Sequence, residues 1–97
     1  MKNTNSLRTD REGPLGEDRA WDDYLSWQDK DKKTLKRINS LIKDTKRDAF
    51  NGIGKPEPLK GNLSGMWSRR IDEENRLVYF EENGVLYIVS CRGHYDD

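Results

Sequence analysis

Hydrophobic periodicity changes once along this chain, and the change limits what it can fold into. Up to Arg47 the apolar residues recur at helical spacing, whereas beyond Gly65 they alternate as in strands. The stretch between them, DAFNGIGKPEPLKGNLSG, collects four Gly and two Pro, which excludes regular structure for most of its length. A chain built this way must set helices from its first half against a sheet from its second. The expected class is α+β, two N-terminal helices packed on a small antiparallel sheet.

In the first half, DRAWDDYLSWQD puts Trp21, Tyr24, Leu25 and Gln28 at helical spacing, with Asp18 as N-cap. DKKTLKRINSLIKDTKR aligns Leu35, Ile38, Leu41, Ile42 and Thr45 on one stripe, starts near Asp31 and ends in a basic turn that suits the helix dipole. So few residues separate the two helices that they should run antiparallel.

In the second half, MWSRRI, NRLVYF and VLYIVSC are strand-like, and Asn83-Gly84 between the last two favours a type I′ hairpin turn. That turn predicts Glu82 opposite Val85, Phe80 opposite Tyr87, Val78 opposite Val89 and Arg76 opposite Cys91. Arg76 then stands at the far end of the hairpin, beside the chain leading to His94. Apolar residues occupy both hairpin faces, so one face should pack on the helices and the other floor a concave surface.

Ninety-seven residues suit one domain. The chain is 37% charged and its mean hydropathy is -1.12, which leans toward disorder, but three Trp, four Tyr and two Phe in periodic segments argue for a folded core. No window approaches the ~18 apolar residues of a membrane span, and the start lacks the apolar core of a secretory signal, so a cytoplasmic protein is expected. Cys91 is the only cysteine and His94 the only histidine, so no disulfide forms within the chain and zinc chemistry is close to excluded. No cofactor is expected.

The zero net charge conceals a pattern. Residues 30–47 carry eight Lys/Arg against Asp31 and Asp44, and residues 55–70 carry Lys55, Lys60, Arg69 and Arg70 against Glu57. Seven acids fall in the last 27 residues. A polyanion could be gripped locally, although a lysine-rich helix face is also commonly just solvated.

With one histidine, acid–base chemistry needs a carboxylate partner. Glu57, in KPEPLK, is the best candidate. Pro56 biases Lys55 toward extended geometry and Pro58 biases Glu57 toward β or polyproline conformations, so the carboxylate is held before any substrate arrives. Taken singly, Glu57 also fits a rigid surface loop, Arg76 a solvated edge charge and His94 an exposed tail residue. Taken together they supply a base for a 2′-hydroxyl, a clamp for a phosphate and an acid for a leaving 5′-oxygen. Near neutral pH a glutamate is ionised and a histidine partly protonated, so both required states coexist without a metal.

WDDYLSWQ, INSLIKD, GIGKPEPLKGNLSGMWSRRI, ENRLVYF and CRGHY together resemble the Txe/YoeB family of type II toxin–antitoxin systems, within the RelE-like toxins. The resemblance runs from Trp21 to Tyr95, and its long central block is highly specific. It implies a microbial-ribonuclease-like α+β domain over residues 17–97. It also implies a ribosome-dependent endoribonuclease that cuts messenger RNA in the A site of the 70S ribosome, leaving a 2′,3′-cyclic phosphate and a 5′-hydroxyl.

By the same resemblance Glu57 is the general base, Arg76 the transition-state clamp and His94 the general acid. Tyr95 orients or stacks on substrate, while Lys60 and Arg70 contact phosphate or ribosomal RNA. The basic second helix faces ribosomal RNA. A homodimer is implied, as is a cognate YefM/Axe-like antitoxin whose C-terminal segment disturbs the terminal His-Tyr. Operator DNA is bound through the antitoxin complex.

Three features depart from the family. Residues 1–16 are an atypical extension and a candidate flexible segment; Gly13, Pro14 and Gly16 suit a strand poorly, so the family's first strand is expected to be missing, shortened or altered. Gly93 stands where relatives often carry a larger residue. Asp96-Asp97 extend past the terminal tyrosine, and removing them should raise activity modestly at low salt. Two other classes remain open: a non-catalytic RelE/ParE-like toxin, of the kind that binds gyrase, and a plain RNA-binding module.

Overall fold

The structure, a computed structural model, describes residues 19–94. The expectations for residues 1–16, Asp18, Tyr95, Asp96 and Asp97 lie outside the described residues.

Helix α1 (Arg19–Lys30) and helix α2 (Lys32–Arg47) are separated by Asp31 alone. Asp31 is extended, and its side chain accepts from the backbone N–H of Lys33 and Thr34 and from the Thr34 hydroxyl, which caps α2. Seven residues before this break the Tyr24 hydroxyl donates to Asn39 Oδ1, eight after it, at 2.8 Å. The chain therefore doubles back as an antiparallel pair. Helix α2 buries Ile38, Leu41, Ile42 and Thr45, with Leu35 partly buried, along the expected stripe.

Helix α1 does not bury the face that spacing alone suggests. Trp21 is 43% and Leu25 37% exposed and Gln28 is exposed, so of the expected residues Tyr24 alone packs on the core, joined there by Ala20 and Trp27. The reason is polar. The Trp27 indole N–H donates to the Cys91 carbonyl at 2.9 Å, and the Asp23 carboxylate accepts from the Cys91 N–H at 3.0 Å. An indole so buried needs its acceptor, and that need sets the rotation of the helix.

Four strands follow in an antiparallel sheet of order β1-β2-β3-β4: β1 (Glu57–Pro58), β2 (Trp67–Arg70), β3 (Arg76–Glu82) and β4 (Val85–Ser90). Asn83 and Gly84 have φ of 54° and 78°, the two positive values that a type I′ turn requires. From the turn the expected register holds through Glu82–Val85, Phe80–Tyr87 and Tyr79–Ile88. It then shifts by one residue, so Val78 faces Ser90 rather than Val89. Arg76 consequently does not face Cys91. Its N–H donates to the Gly93 carbonyl at 3.1 Å. The bulge lets Val89 pack on one side of the sheet while Cys91 enters the helix-facing core on the other.

Leu77, Tyr79, Leu86, Ile88 and Cys91 form that core with both helices. On the opposite face Val78 and Val89 do not floor an open concavity. Leu59, Leu63 and Met66 roof them, carried by a segment that contains one 3-10 turn (Gly61–Leu63). The Gly/Pro-rich stretch is thus mostly irregular, as expected, yet holds this turn and β1.

Candidate active site

Glu57 is delivered by a loop folded around a buried charge. Arg69, in the middle of β2, is completely shielded from solvent. Its guanidinium donates to Asp44 Oδ2 (2.7 Å) and to the carbonyls of Asp48 (2.6 Å), Asn51 (3.1 Å) and Ile53 (3.0 Å), and its Nε donates to the Tyr79 hydroxyl (3.2 Å). The Tyr79 hydroxyl in turn donates to the Ala49 carbonyl at 2.6 Å. One planar cation therefore collects three carbonyls of the 48–54 loop, a task that needs the guanidinium's five fixed donors. The Arg69 guanidinium holds the Asp44 carboxyl down at about 2, helped by the Ile53 N–H and Arg47.

The loop leaves this knot at Gly54, whose carbonyl accepts from the Arg70 N–H at 2.6 Å. Lys55 then takes a φ of 53°, in the left-handed region, rather than the extended geometry expected of a residue before proline. The reversal is imposed by the docked loop on one side and by the pairing of Glu57 with Ser68 on the other.

Directly opposed residues share a sheet face, as do residues two apart on a strand. The pairs Glu57–Ser68, Ser68–Val78 and Arg70–Arg76 therefore put the side chains of Glu57, Arg70 and Arg76 on one face, opposite to Arg69 and Tyr79. Standard strand spacing and rise set the Cα atoms of Glu57 and Arg76 about 12 Å apart. Lys60 is exposed on the segment that roofs the same face.

Arg76 is half-buried, and its Nη1 donates to the carbonyls of Asp72 (2.6 Å) and Asn75 (3.1 Å), which fixes the guanidinium at the end of β3. His94 is exposed and follows Gly93 directly. Both polar backbone atoms of Gly93 are held by consecutive residues: its N–H donates to Asn75 Oδ1 at 2.7 Å and its carbonyl accepts from Arg76. Arg19 Nη2 donates to the Arg92 carbonyl at 3.0 Å, and the Arg92 guanidinium lies 5.7 Å from the Trp27 ring centroid. The segment before the histidine is thus clasped by α1 on one side and by the 72–76 turn on the other.

Not every expected charge is available to a ligand. Arg69, counted among the basic residues of 55–70, is consumed by the loop knot. Arg37, on the basic helix, donates to the carbonyls of Arg70 (3.1 Å) and Ile71 (3.4 Å) and tethers α2 to the end of β2. Cys91 is unsuited to nucleophilic work, because burial and the nearby Asp23 charge push its thiol up to about 12. Among the described residues no group of three or more His, Cys, Asp or Glu could hold a metal ion. Sequence reasoning missed the Asp72–Asn75 turn, although an Asx residue three before an Asn is a legible turn signal.

A family model described as the YoeB-like toxin of bacterial type II toxin–antitoxin systems matches residues 17–95. The chain is 63% identical over 76 residues to Toxin YoeB of Escherichia coli K12, covering 78% of this chain and 90% of that protein. The YoeB/ParE toxin from Agrobacterium tumefaciens superposes with a TM-score of 0.75 at 50% identity, covering 78% of this chain and 91% of that one. Two Staphylococcus aureus structures are similar. A YoeB–YefM complex gives a TM-score of 0.74 at 49% identity (78% and 88% covered), and a YoeB dimer gives 0.73 at 50% (79% and 90% covered). Matched over nearly all of its described length in sequence and in fold, this chain belongs to the YoeB-like toxin family of bacterial type II toxin–antitoxin systems.

Proposed function

We propose that the chain is a ribosome-dependent endoribonuclease that cleaves messenger RNA in the A site, halting translation, and does so by acid–base transesterification. The observation that carries this reading is the shared sheet face of Glu57, Arg70 and Arg76, with His94 one residue beyond the Gly93 that Arg76 holds. In the reaction the Glu57 carboxylate removes the proton of a 2′-hydroxyl, and the 2′-oxygen attacks the adjacent phosphorus. Arg76 stabilises the charge that builds on the non-bridging oxygens. The His94 imidazolium gives its proton to the departing 5′-oxygen, and the P–O5′ bond breaks. A 2′,3′-cyclic phosphate and a 5′-hydroxyl result, with no water consumed. Lys60 and Arg70 bind phosphate or ribosomal RNA, and Tyr95 stacks on or orients a base.

Likeness to the Staphylococcus aureus complex and dimer supports a YefM-like antitoxin as partner and a homodimer as assembly. The antitoxin complex would carry the contacts to operator DNA. Such a substrate belongs to the cytoplasm, and among the described residues no helix is long and apolar enough to cross a membrane.

The test is cleavage of mRNA on programmed ribosomes by the purified chain and by Glu57→Gln, Arg76→Ala and His94→Ala. Each variant should lose about 10²- to 10⁴-fold in rate. Ribosome binding without cleavage by the parent chain would favour a non-catalytic toxin or RNA-binding module; full activity in all three variants would discard these residues as the site.

A further inference from the structure

Asn75 makes more of its side chain than a turn residue requires. Its Nδ2 donates to both oxygens of Asp72 at 3.1 Å, and its backbone N–H donates to Asp72 Oδ1 at 2.7 Å. The Glu74 N–H donates to the same oxygen at 2.8 Å, so the carboxylate is itself held from two backbone positions. A carboxylate accepts only from the amide nitrogen, which leaves Asn75 Oδ1 directed at the one N–H it meets, that of Gly93. The Asn75 carbonyl also receives Arg76 Nη1. One short turn thus grips the arginine of the site with its backbone and the stem of the histidine with its side chain.

Gly93 needs that grip. Its φ is 81°, it lies beyond the last residue of β4, and His94 follows it directly. Hydrogen bonds on both backbone groups of the residue before an acid restrict where the acid's own Cα lies. A misplacement near 1 Å at a reacting group costs on the order of 10²-fold in rate.

We infer that Asn75 is a positioning residue for proton donation: through the Gly93 N–H its amide sets where His94 meets the leaving oxygen. The inference rests on the reading of His94 as general acid. Asp72 is the second member of the device, since it sets the amide's orientation. The bond to Gly93 requires only an acceptor at position 75, and the bond to position 72 requires only a donor on one side and an acceptor on the other. Exchanging the two residues should therefore preserve both bonds.

The experiment compares the parent chain, Asn75→Ala, the exchange pair Asp72→Asn/Asn75→Asp, and His94→Ala on programmed ribosomes. Two mRNAs are used, with an ordinary 5′-oxygen or a 5′-sulfur at the scissile linkage. A thiolate leaves without a proton, so only a defect in the acid is masked by sulfur. Asn75→Ala should lower kcat about tenfold or more on the oxygen linkage with KM within about twofold, and its deficit should fall below about threefold on sulfur, as for His94→Ala. The exchange pair should return to within about threefold of the parent on oxygen. With His94→Ala impaired on oxygen alone, equal losses for Asn75→Ala on both linkages or an unchanged kcat for it would overturn the inference and leave the acid assignment standing; a His94→Ala loss that is equal on both linkages would overturn both. An unimpaired His94→Ala would overturn both.

Discussion

Glu57 and His94 are presented from opposite ends of the same small sheet, and the chain holds the two by different means. Behind Glu57, three loop carbonyls and the Asp44 carboxylate converge on the single buried guanidinium of Arg69. Behind His94, separate and mostly uncharged bonds act in series: the Trp27 indole and Asp23 on Cys91, Arg19 on Arg92, Asn75 and Arg76 on Gly93. A hub of the first kind fails as a unit, because removing the cation strands every acceptor at once. A series of the second kind can be released one bond at a time. Under the proposed function, that difference suits a base that stays in place and an acid that an antitoxin could displace.

Removing the hub should give the largest effect. Arg69→Met fills the volume but leaves the Asp48, Asn51 and Ile53 carbonyls without their donor, and should cost on the order of 3–5 kcal/mol in denaturant unfolding. A loss below about 1 kcal/mol would show that the loop is held by its apolar contacts instead. Acid is the next way to attack it. Because Asp44 is held at about 2, below the ordinary carboxylate value of 3.8, its contribution is complete above about pH 4 and is lost as pH falls toward 2. Between pH 5 and pH 2 the parent should therefore lose more stability than Asp44→Asn; parallel declines would remove the charge from the account.

The tail should respond more weakly and locally. Trp27→Phe deletes the donor to Cys91 together with part of a core ring and its contact with the Arg92 guanidinium, should cost about 1–3 kcal/mol, and should speed amide exchange at Arg92 and Gly93 while leaving the 48–54 loop protected. Acceleration in both regions would contradict the separation drawn between them. Leu25→Ser, on the same helix but facing outward, should change stability by no more than about 0.5 kcal/mol.

Local signals made much of this architecture legible. The stripe Leu35, Ile38, Leu41, Ile42 and Thr45, the start of the second helix near Asp31 and the Asn83-Gly84 turn are each decided by neighbours within a few residues, and each is found as expected. Candidate residues Glu57, Arg70 and Arg76 could be picked out by motif, and the sheet register brings them to one face. The rotation of α1 was hidden, because Trp21 and Leu25 match a helical period as well as Trp27 does and only the distant Cys91 carbonyl breaks the tie. The same holds for Lys55, whose left-handed φ is set by the docking of Gly54 on Arg70 rather than by the proline that follows.

The two adjacent arginines of β2 mark the boundary between what the chain's own pattern decides and what folding adds. Strand alternation already requires Arg69 and Arg70 to point to opposite faces, and hydrophobic period already requires helices before the Gly/Pro stretch and a sheet after it. Which arginine becomes the buried hub, where the hairpin slips by one residue, and that Gly93 is held by Asn75 are not written locally. Each depends on a donor and an acceptor distant in sequence, and a buried polar group takes whichever partner the assembled fold brings within about 3 Å.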